Sequence, residues 1–457
     1  MGRTQRKRQH KKLVQFYTCN NETNSILFNT WLSGNGLRSS KKLVFAMFEA
    51  PGRGLLTKKK ISAGEELMNL PLSLTINVTT LLMDDVFCSI FLENKLSCLL
   101  KYKQKVSFQS LMAFYLIHLK AGGNISKWHI YLASLPKEYT VPYFLPDEVI
   151  CHVDGEIANA IAKQKNIIKT SFHIFNEILQ NTMSNNIEVQ NLGSYFTLLR
   201  YEWAYFTVNT RCVYMDLTKL INLENISSTI LSVINDNTKI SLCPYLDMIN
   251  HSANARNETK LMINKDLGNL PLTKLNDDIF SDVRFSIYTK NNFDPYTQVF
   301  ICYGDSHNLK LITEYGFFLP SNDIDFVSFN FDEIVLYLSS RGTKLSCDQI
   351  AFINNHGLNK DLYIDLRGLS FNFYGLLMVV KYYYNQNLDI SRLIYSAAIC
   401  SNDRVLIEFI MPMVKDRLVS IGVDLNKLCS FSRNMILDNC IKLMGQYVNI
   451  LEKFIKC

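Results

Sequence analysis

Three short segments combine residue types that could do chemistry in the 457-residue chain. They are Gly52-Arg53-Gly54-Leu55, Asp247-Met248-Ile249-Asn250-His251-Ser252, and Val299-Phe300-Ile301-Cys302-Tyr303-Gly304. Each joins an apolar run to a turn that carries a polar group. Glycines on both sides of Arg53 permit backbone angles and close approach denied to other residues, with a cation beside them. Asn250 both donates and accepts, so it can bridge backbone groups or fix an amine and a carboxylate. His251 can hold a neighbouring strand or pack under a ring. Tyr303 places a phenol at the end of a β-type run, where it can orient a nucleophile or act on a proton. Taken singly, each segment reads more readily as structural: a basic turn, a turn with a satisfied core histidine, or an inward-facing tyrosine. Downstream, Asn308, Leu311, Tyr315, Gly316 and Phe317 form a second Tyr-Gly turn after a short predicted helix.

The elements that must position these groups alternate in type. Val44 to Ala50 reads as a strand, Pro51 to Gly54 as a turn, and Leu55 onward as β again, with a further short strand at Glu66 to Leu74. Helical spacing takes over at Phe108 to Leu119, Trp128 to Leu135, Ile157 to Leu179 and Tyr195 to Val208. Strand-sized runs return at Ser241 to Ile249, Val283 to Thr289 and Gln298 to Tyr303. Beyond residue 330 amphipathic helices dominate: Phe331 to Leu338, Cys347 to Asn354, Leu369 to Tyr384, Ser391 to Cys400, Arg404 to Ser420 and Phe431 to Phe454. They predict a separate helical C-terminal domain.

The net charge of +7 does not imply nucleic-acid binding. Arg3, Arg6, Lys7, Arg8, Lys11 and Lys12 carry six of those charges, leaving +1 for the rest of the chain. Such a tail suits an import signal, a phosphate or lipid contact, or a solubilising terminus. A basic stripe in the folded region, the signature of sequence-specific nucleic-acid binding, is missing. No secretory segment and no membrane span is expected: the runs Leu376 to Val380 and Ile394 to Ile399 fall far short of the ~20 residues a bilayer needs. Twelve dispersed cysteines without a Cys-x-x-Cys pair read as reduced thiols, with Cys212, Cys243 and Cys302 as apolar filler, and the eight histidines form no metal-binding pattern.

In their order, and with the helical block between them, the three segments and Asn308 to Phe317 resemble the SET-domain methyltransferases. The resemblance is to the split-SET branch, which includes the plant Rubisco large-subunit lysine methyltransferase and the actin-histidine methyltransferase. Trp203 to Tyr214 and Cys243 to Ser252 carry the narrower likeness, which covers about residues 25 to 457. It implies an α+β fold, with a pseudo-knotted, β-rich SET core over residues 25–320 interrupted by a helical insertion at about 90–235. A basic, flexible tail would precede it over residues 1–24, and an all-helical substrate-binding domain would follow over 321–457. It further implies an S-adenosylmethionine-dependent protein-lysine N-methyltransferase that releases S-adenosylhomocysteine and uses no metal. By resemblance, Arg53, Gly54, Asn250, His251 and Tyr303 contact the cofactor and Tyr303 is catalytic. Tyr205, Arg211, Tyr315 and Phe317 would line the substrate channel. Histone H3 or H4 tails and other proteins would be the substrates of a monomer working in nucleus and cytoplasm. A histidine-methylating enzyme or a non-catalytic peptide-binding scaffold are the alternatives. The chain departs from the pattern in two ways. It lacks the cysteine-rich zinc clusters that flank many SET cores, and Pro71 to Asn77 offers no carboxylate for the adenosine ribose.

Overall fold

The computed structural model describes residues 16–19, 22–49, 52–183, 186–218, 220–221, 229–263, 280–395 and 404–456. The basic residues 3–12 therefore lie outside the described residues. The chain divides into two compact units, one formed by residues 1–139 and 165–305, the other by 140–164 and 306–457.

The strands of the first unit run in chain order β1 (Phe16–Thr18), β2 (Arg38–Ser39), β3 (Leu43–Phe48), β4 (Gly52–Thr57), β5 (Glu66–Pro71), β6 (Cys212–Tyr214) and β7 (Ile240–Leu242), then β8 (Asn250–His251), β9 (Asn257–Ile263), β10 (Val283–Thr289) and β11 (Gln298–Ile301). One sheet has the order β1-β3-β4-β11-β8 and a second the order β2-β5-β10-β9. The β3–β4 hairpin is antiparallel, with Ala46 opposite Gly54 and Met47 opposite Arg53. Gly52 opens β4 at φ +72°, a left-handed conformation that glycine takes without steric cost. β10 spans Val283–Thr289, as its alternating sequence predicts, and pairs on both edges.

Helices cover this β core. Those used below are α1 (Thr23–Gly34), α2 (Phe108–Ala121), α3 (His129–Ser134), α4 (Gly155–Asn181) and α5 (Leu198–Arg211). α2 is buried almost all round, from Phe108 to Leu119, and α5 packs along it. Ser107 and Thr197 cap these two helices by accepting from Ser110 N and Arg200 N. Tyr201 ties α5 to α2 by donating to the Ser110 carbonyl at 3.2 Å.

Local conflicts explain where the elements differ from the sequence reading. The run Ser241 to Ile249 is not one strand: β7 ends at Leu242, and a 3-10 turn covers Leu246–Met248 before β8. Tyr245 breaks it by adopting φ +76°, an uncommon conformation for a bulky residue, with its ring edge-on to Phe45 at 5.4 Å. The strand expected to Leu74 stops at Pro71, and Leu72–Leu74 forms a 3-10 turn. The flexible tail expected over residues 1–24 is also too long, because Phe16–Thr18 pairs with Ala46–Phe48 and α1 begins at Thr23. Packing of Phe28 against Phe45 and Tyr131 fixes α1 in place.

The second unit joins β12 (Phe326–Ser328), β13 (Tyr363–Asp365) and β14 (Gly368–Leu369) to helices that include α6 (Phe331–Ser340), α7 (Phe371–Tyr382), α8 (Arg404–Leu428) and α9 (Met435–Lys456). It is thus helical with a small sheet rather than all helical. α9 buries a stripe from Leu437 to Phe454 in the core of this unit. Asp154, almost fully buried, accepts from Arg417 Nη2 at 2.6 Å. No described helix is long and apolar enough to cross a membrane.

Candidate functional site

The three chemically suggestive segments meet on neighbouring strands of one sheet. β11 lies between β4 and β8, antiparallel to the first and parallel to the second. Phe300 stands opposite Asn250, and Ile301 opposite His251. Residues nearly 200 and 50 positions apart are thereby placed within one hydrogen-bonded patch.

Asn250 Nδ2 donates to the Arg53 carbonyl at 3.2 Å, bridging β8 to β4 across the β11 position. A Cβ added to Gly54 would stand 2.7 Å from both Asn250 Nδ2 and Gln298 Nε2, and 3.1 Å from Phe48 Cε2. A larger residue at 54 would have to push both amides aside. Gln298 Nε2 is buried without a hydrogen-bond partner. An unmet donor of this kind costs about 1–3 kcal/mol. Here it sits in a cradle over Gly54 that it shares with the Asn250 amide.

Arg53 donates from Nη2 to the Ser134 carbonyl at the end of α3, at 2.6 Å. Burial, followed by the nearby Arg211 charge, lowers its pKa, and Asp247 opposes the shift.

The Tyr303 backbone N–H donates to His251 Nδ1 at 3.0 Å, and its hydroxyl donates to the Ile249 carbonyl at 2.7 Å. The two rings stand 5.1 Å apart at 41°. An accepting Nδ1 fixes His251 as the neutral Nε2–H tautomer. Burial lowers its pKa, with Asp305 opposing, which favours the neutral form.

Behind β8 lies a buried ionic cluster. Arg211 Nη1 donates to the Asp247 carbonyl at 2.9 Å and to its carboxylate at 3.2 Å, and Tyr131 donates to the same carboxylate oxygen at 3.0 Å. Asp247 Oδ1 and Arg211 Nε have no partner. Burial works against the Arg211 charge, but Asp247 together with Tyr139 and Tyr131 outweighs it and holds the guanidinium charged. Residue types alone did not assign Asp247, Tyr131, Ser134 or Gln298 to the site. A readable signal existed for Asp247, since an acid inside Leu246-Asp247-Met248 demands a buried partner. Arg211, expected on the channel wall, turns its guanidinium to Asp247 and so anchors the segment before Asn250.

Tyr205 is buried in α5, edge-on to Phe206 at 5.5 Å. Tyr315 and Phe317 belong to the second unit, where their rings lie 6.2 Å apart across Gly316. Gly316 has φ +80°, and a Cβ there would stand 2.6 Å from Thr140 Oγ1. Among the described residues no group of three or more His, Cys, Asp or Glu side chains could hold a metal ion.

No protein-family profile matches the chain. It is 26% identical over 373 residues to SET domain-containing protein 4 of Artemia parthenogenetica, covering 82% of each sequence. A ribosomal lysine N-methyltransferase of Schizosaccharomyces pombe is 23% identical over 346 residues, 75% of this chain and 71% of that one. The mouse actin-histidine N-methyltransferase is 25% identical over 297 residues, 65% of this chain but only 42% of that one. In fold, the chain matches the SET domain of LSMT solved with lysine and AdoHcy, with a TM-score of 0.61 at 17% identity over 96% of this chain and 91% of that one. The chain therefore has the SET fold and is similar in sequence to SET domain-containing protein 4.

Proposed function

We propose that the junction of β4, β11 and β8 binds S-adenosylmethionine and that the chain is a protein-lysine N-methyltransferase. The observation that carries this reading is the convergence of Arg53, Gly54, Asn250, His251 and Tyr303 on adjacent strands. The residues present suit the cofactor. The Gly54 cradle holds the Asn250 and Gln298 amides, and the unmet Gln298 donor would gain a partner in a bound ligand. Arg53 and Asn250 would hold the carboxylate and ammonium of its amino-acid end. When bound, the cofactor supplies a methyl group already activated by its positive sulfur.

The chain's own residues then have to deliver a neutral amine in line with that methyl. A lysine of unperturbed pKa ~10.4 is mostly protonated at neutral pH, and a dry aromatic site favours its neutral form. The Tyr303 phenol donates to the Ile249 carbonyl, which fixes the position of the oxygen that would meet an N–H of the amine. His251 fixes the Tyr303 backbone, so the phenol is held from both ends. Proton loss to water before transfer is compatible with this arrangement, and positioning then supplies much of the rate.

Lysine is favoured over histidine as the acceptor. The relatives matched over most of their length include a ribosomal lysine N-methyltransferase, whereas the actin-histidine enzyme is matched over 42% of its own. Histone H3 and H4 tails, alongside non-histone proteins, in nucleus and cytoplasm are the substrates to test first. Tyr205, Tyr315 and Phe317 are proposed as substrate-contacting aromatics. Calorimetry with S-adenosylhomocysteine tests the site. The reading expects one-to-one binding that Asn250→Ala weakens at least tenfold, whereas no binding by the folded wild type would leave a scaffold on a SET fold.

A further inference from the structure

A cleft in the first unit, of about 550 Å³, lies along α3, the segment that follows it and the start of α5. Its floor is apolar: Leu132, Leu135 and Pro136 line it, and Leu199 joins them although 75% of it is exposed. Its rim is basic. Lys120 and Arg200 face the cleft, with Lys137 and His129 beside them and Glu138 as the single acid.

The two central cations are held in place by aromatic rings rather than by carboxylates. Lys120 Nζ sits 3.4 Å above the Trp203 ring, and Trp203 is itself anchored by donating Nε1 to the Pro136 carbonyl at 2.8 Å. Arg200 stacks 3.7 Å over Tyr195 and donates to its carbonyl at 2.8 Å. Among the described residues neither cation has an ion-pair partner, and each repels the other. Burial first, and the Arg200 charge second, lower the Lys120 pKa. Two like charges held together over an apolar floor without a counterion make a place where an anion relieves repulsion and an apolar neighbour covers exposed leucine.

We infer that this cleft is a docking site for an acidic peptide segment, one carrying Asp or Glu next to a leucine-like side chain. A peptide fits better than a nucleic acid for two reasons. The Trp203 face that could stack a base is occupied by Lys120. A phosphate backbone would also need a basic track, whereas the chain beyond its first twelve residues has a net charge of only +1. The cleft is also tied to the proposed methyl-transfer site. Leu135 and Pro136 line it, while the preceding Ser134 carbonyl holds Arg53. An acidic stretch of a protein substrate docked here would leave the rest of that protein free to reach β11. This role in substrate capture rests on the function proposed above; the binding itself does not.

The test uses the full chain without cofactor and a fluorescein-labelled peptide of sequence Glu-Glu-Leu-Asp-Leu-Glu, followed by anisotropy. The wild type should bind it, with affinity falling as salt is added. Arg200→Glu and the exposed Lys137→Glu should each weaken binding by about tenfold, the size of one lost and one repulsive charge contact. Circular dichroism and urea denaturation establish that both variants fold. Equal affinity in wild type and both folded variants would overturn the inference. Tighter binding of a short oligodeoxythymidine than of the peptide, lost in the same variants, would overturn it in favour of a nucleic-acid site. Because no cofactor is present, these results stand whether or not S-adenosylhomocysteine binds elsewhere.

Discussion

Replacing Gly54 with alanine should separate the site's binding role from its structural one. The added methyl would meet Asn250 Nδ2 and Gln298 Nε2, each at 2.7 Å, so both amides must swing away. Both are the ends of flexible side chains, and the Gly54 backbone does not need the left-handed region, so the fold can absorb the change. The stability cost is one hydrogen bond, Asn250 Nδ2 to the Arg53 carbonyl, plus a small shift of the Phe48 ring. That comes to about 1–2 kcal/mol. Cofactor binding loses more, because both amides would be pushed from the cradle toward the ligand at once. At about 1 kcal/mol for each amide and a similar amount for the steric conflict, affinity should fall about 100-fold. Calorimetry with S-adenosylhomocysteine and urea denaturation on the same preparations give the two numbers. Adding Gln298→Ala, which removes a side-chain amide with no partner, should restore part of the affinity. Unchanged affinity in Gly54→Ala would refute the cradle. Loss of stability equal to the loss of binding energy would show that Gly54 serves the fold alone.

Two further predictions concern the groups behind and beside Asn250. Arg211→Met strands the buried Asp247 carboxylate, and such a loss costs about 3–5 kcal/mol; Asp247→Asn in the same chain should recover part of it in urea denaturation. His251 has a lowered pKa in the folded state, so as pH falls below 6.5 the unfolded chain takes up a proton first. Its stabilisation is complete above that pH and declines toward the folded value. The difference in unfolding free energy between wild type and His251→Gln should therefore shrink from pH 7.5 to 5.5. His307 is shifted the same way but is common to both proteins and cancels. A difference that stays constant with pH would refute the neutral-tautomer assignment.

Much of this architecture was legible because it is local. The alternation in Val283–Thr289 and the apolar spacing of α2 and α4 read directly as β10 and as helices. Residue type also picked out the three segments that one sheet brings together, although Gly52–Gly54 and Asn250-His251 lie in β4 and β8 rather than in the turns expected. What could not be read was set by distant partners. The Asp247 partners Arg211 and Tyr131 lie 36 and 116 residues away, and the Ser134 carbonyl that fixes Arg53 lies 81 away. The break at Tyr245 depends on the Phe45 ring, and the pairing of Phe16–Thr18 depends on an open edge of β3. The units also differ from the expected boundary near residue 320. Residues 306–320 pack with the second unit, as does 140–164, where Thr140 closes on Gly316 and Asp154 pairs with Arg417.

The central claim is that the β4–β11–β8 junction transfers methyl groups to protein lysine with Tyr303 as the aligning group. Its most direct test is methylation of a cell extract with isotope-labelled S-adenosylmethionine, read by mass spectrometry for wild type and Tyr303→Phe. The account predicts label on lysine side chains with the wild type and a rate at least 100-fold lower with the variant, a loss of about 3 kcal/mol of transition-state stabilisation. Label on histidine, or equal labelling by both proteins, would contradict it.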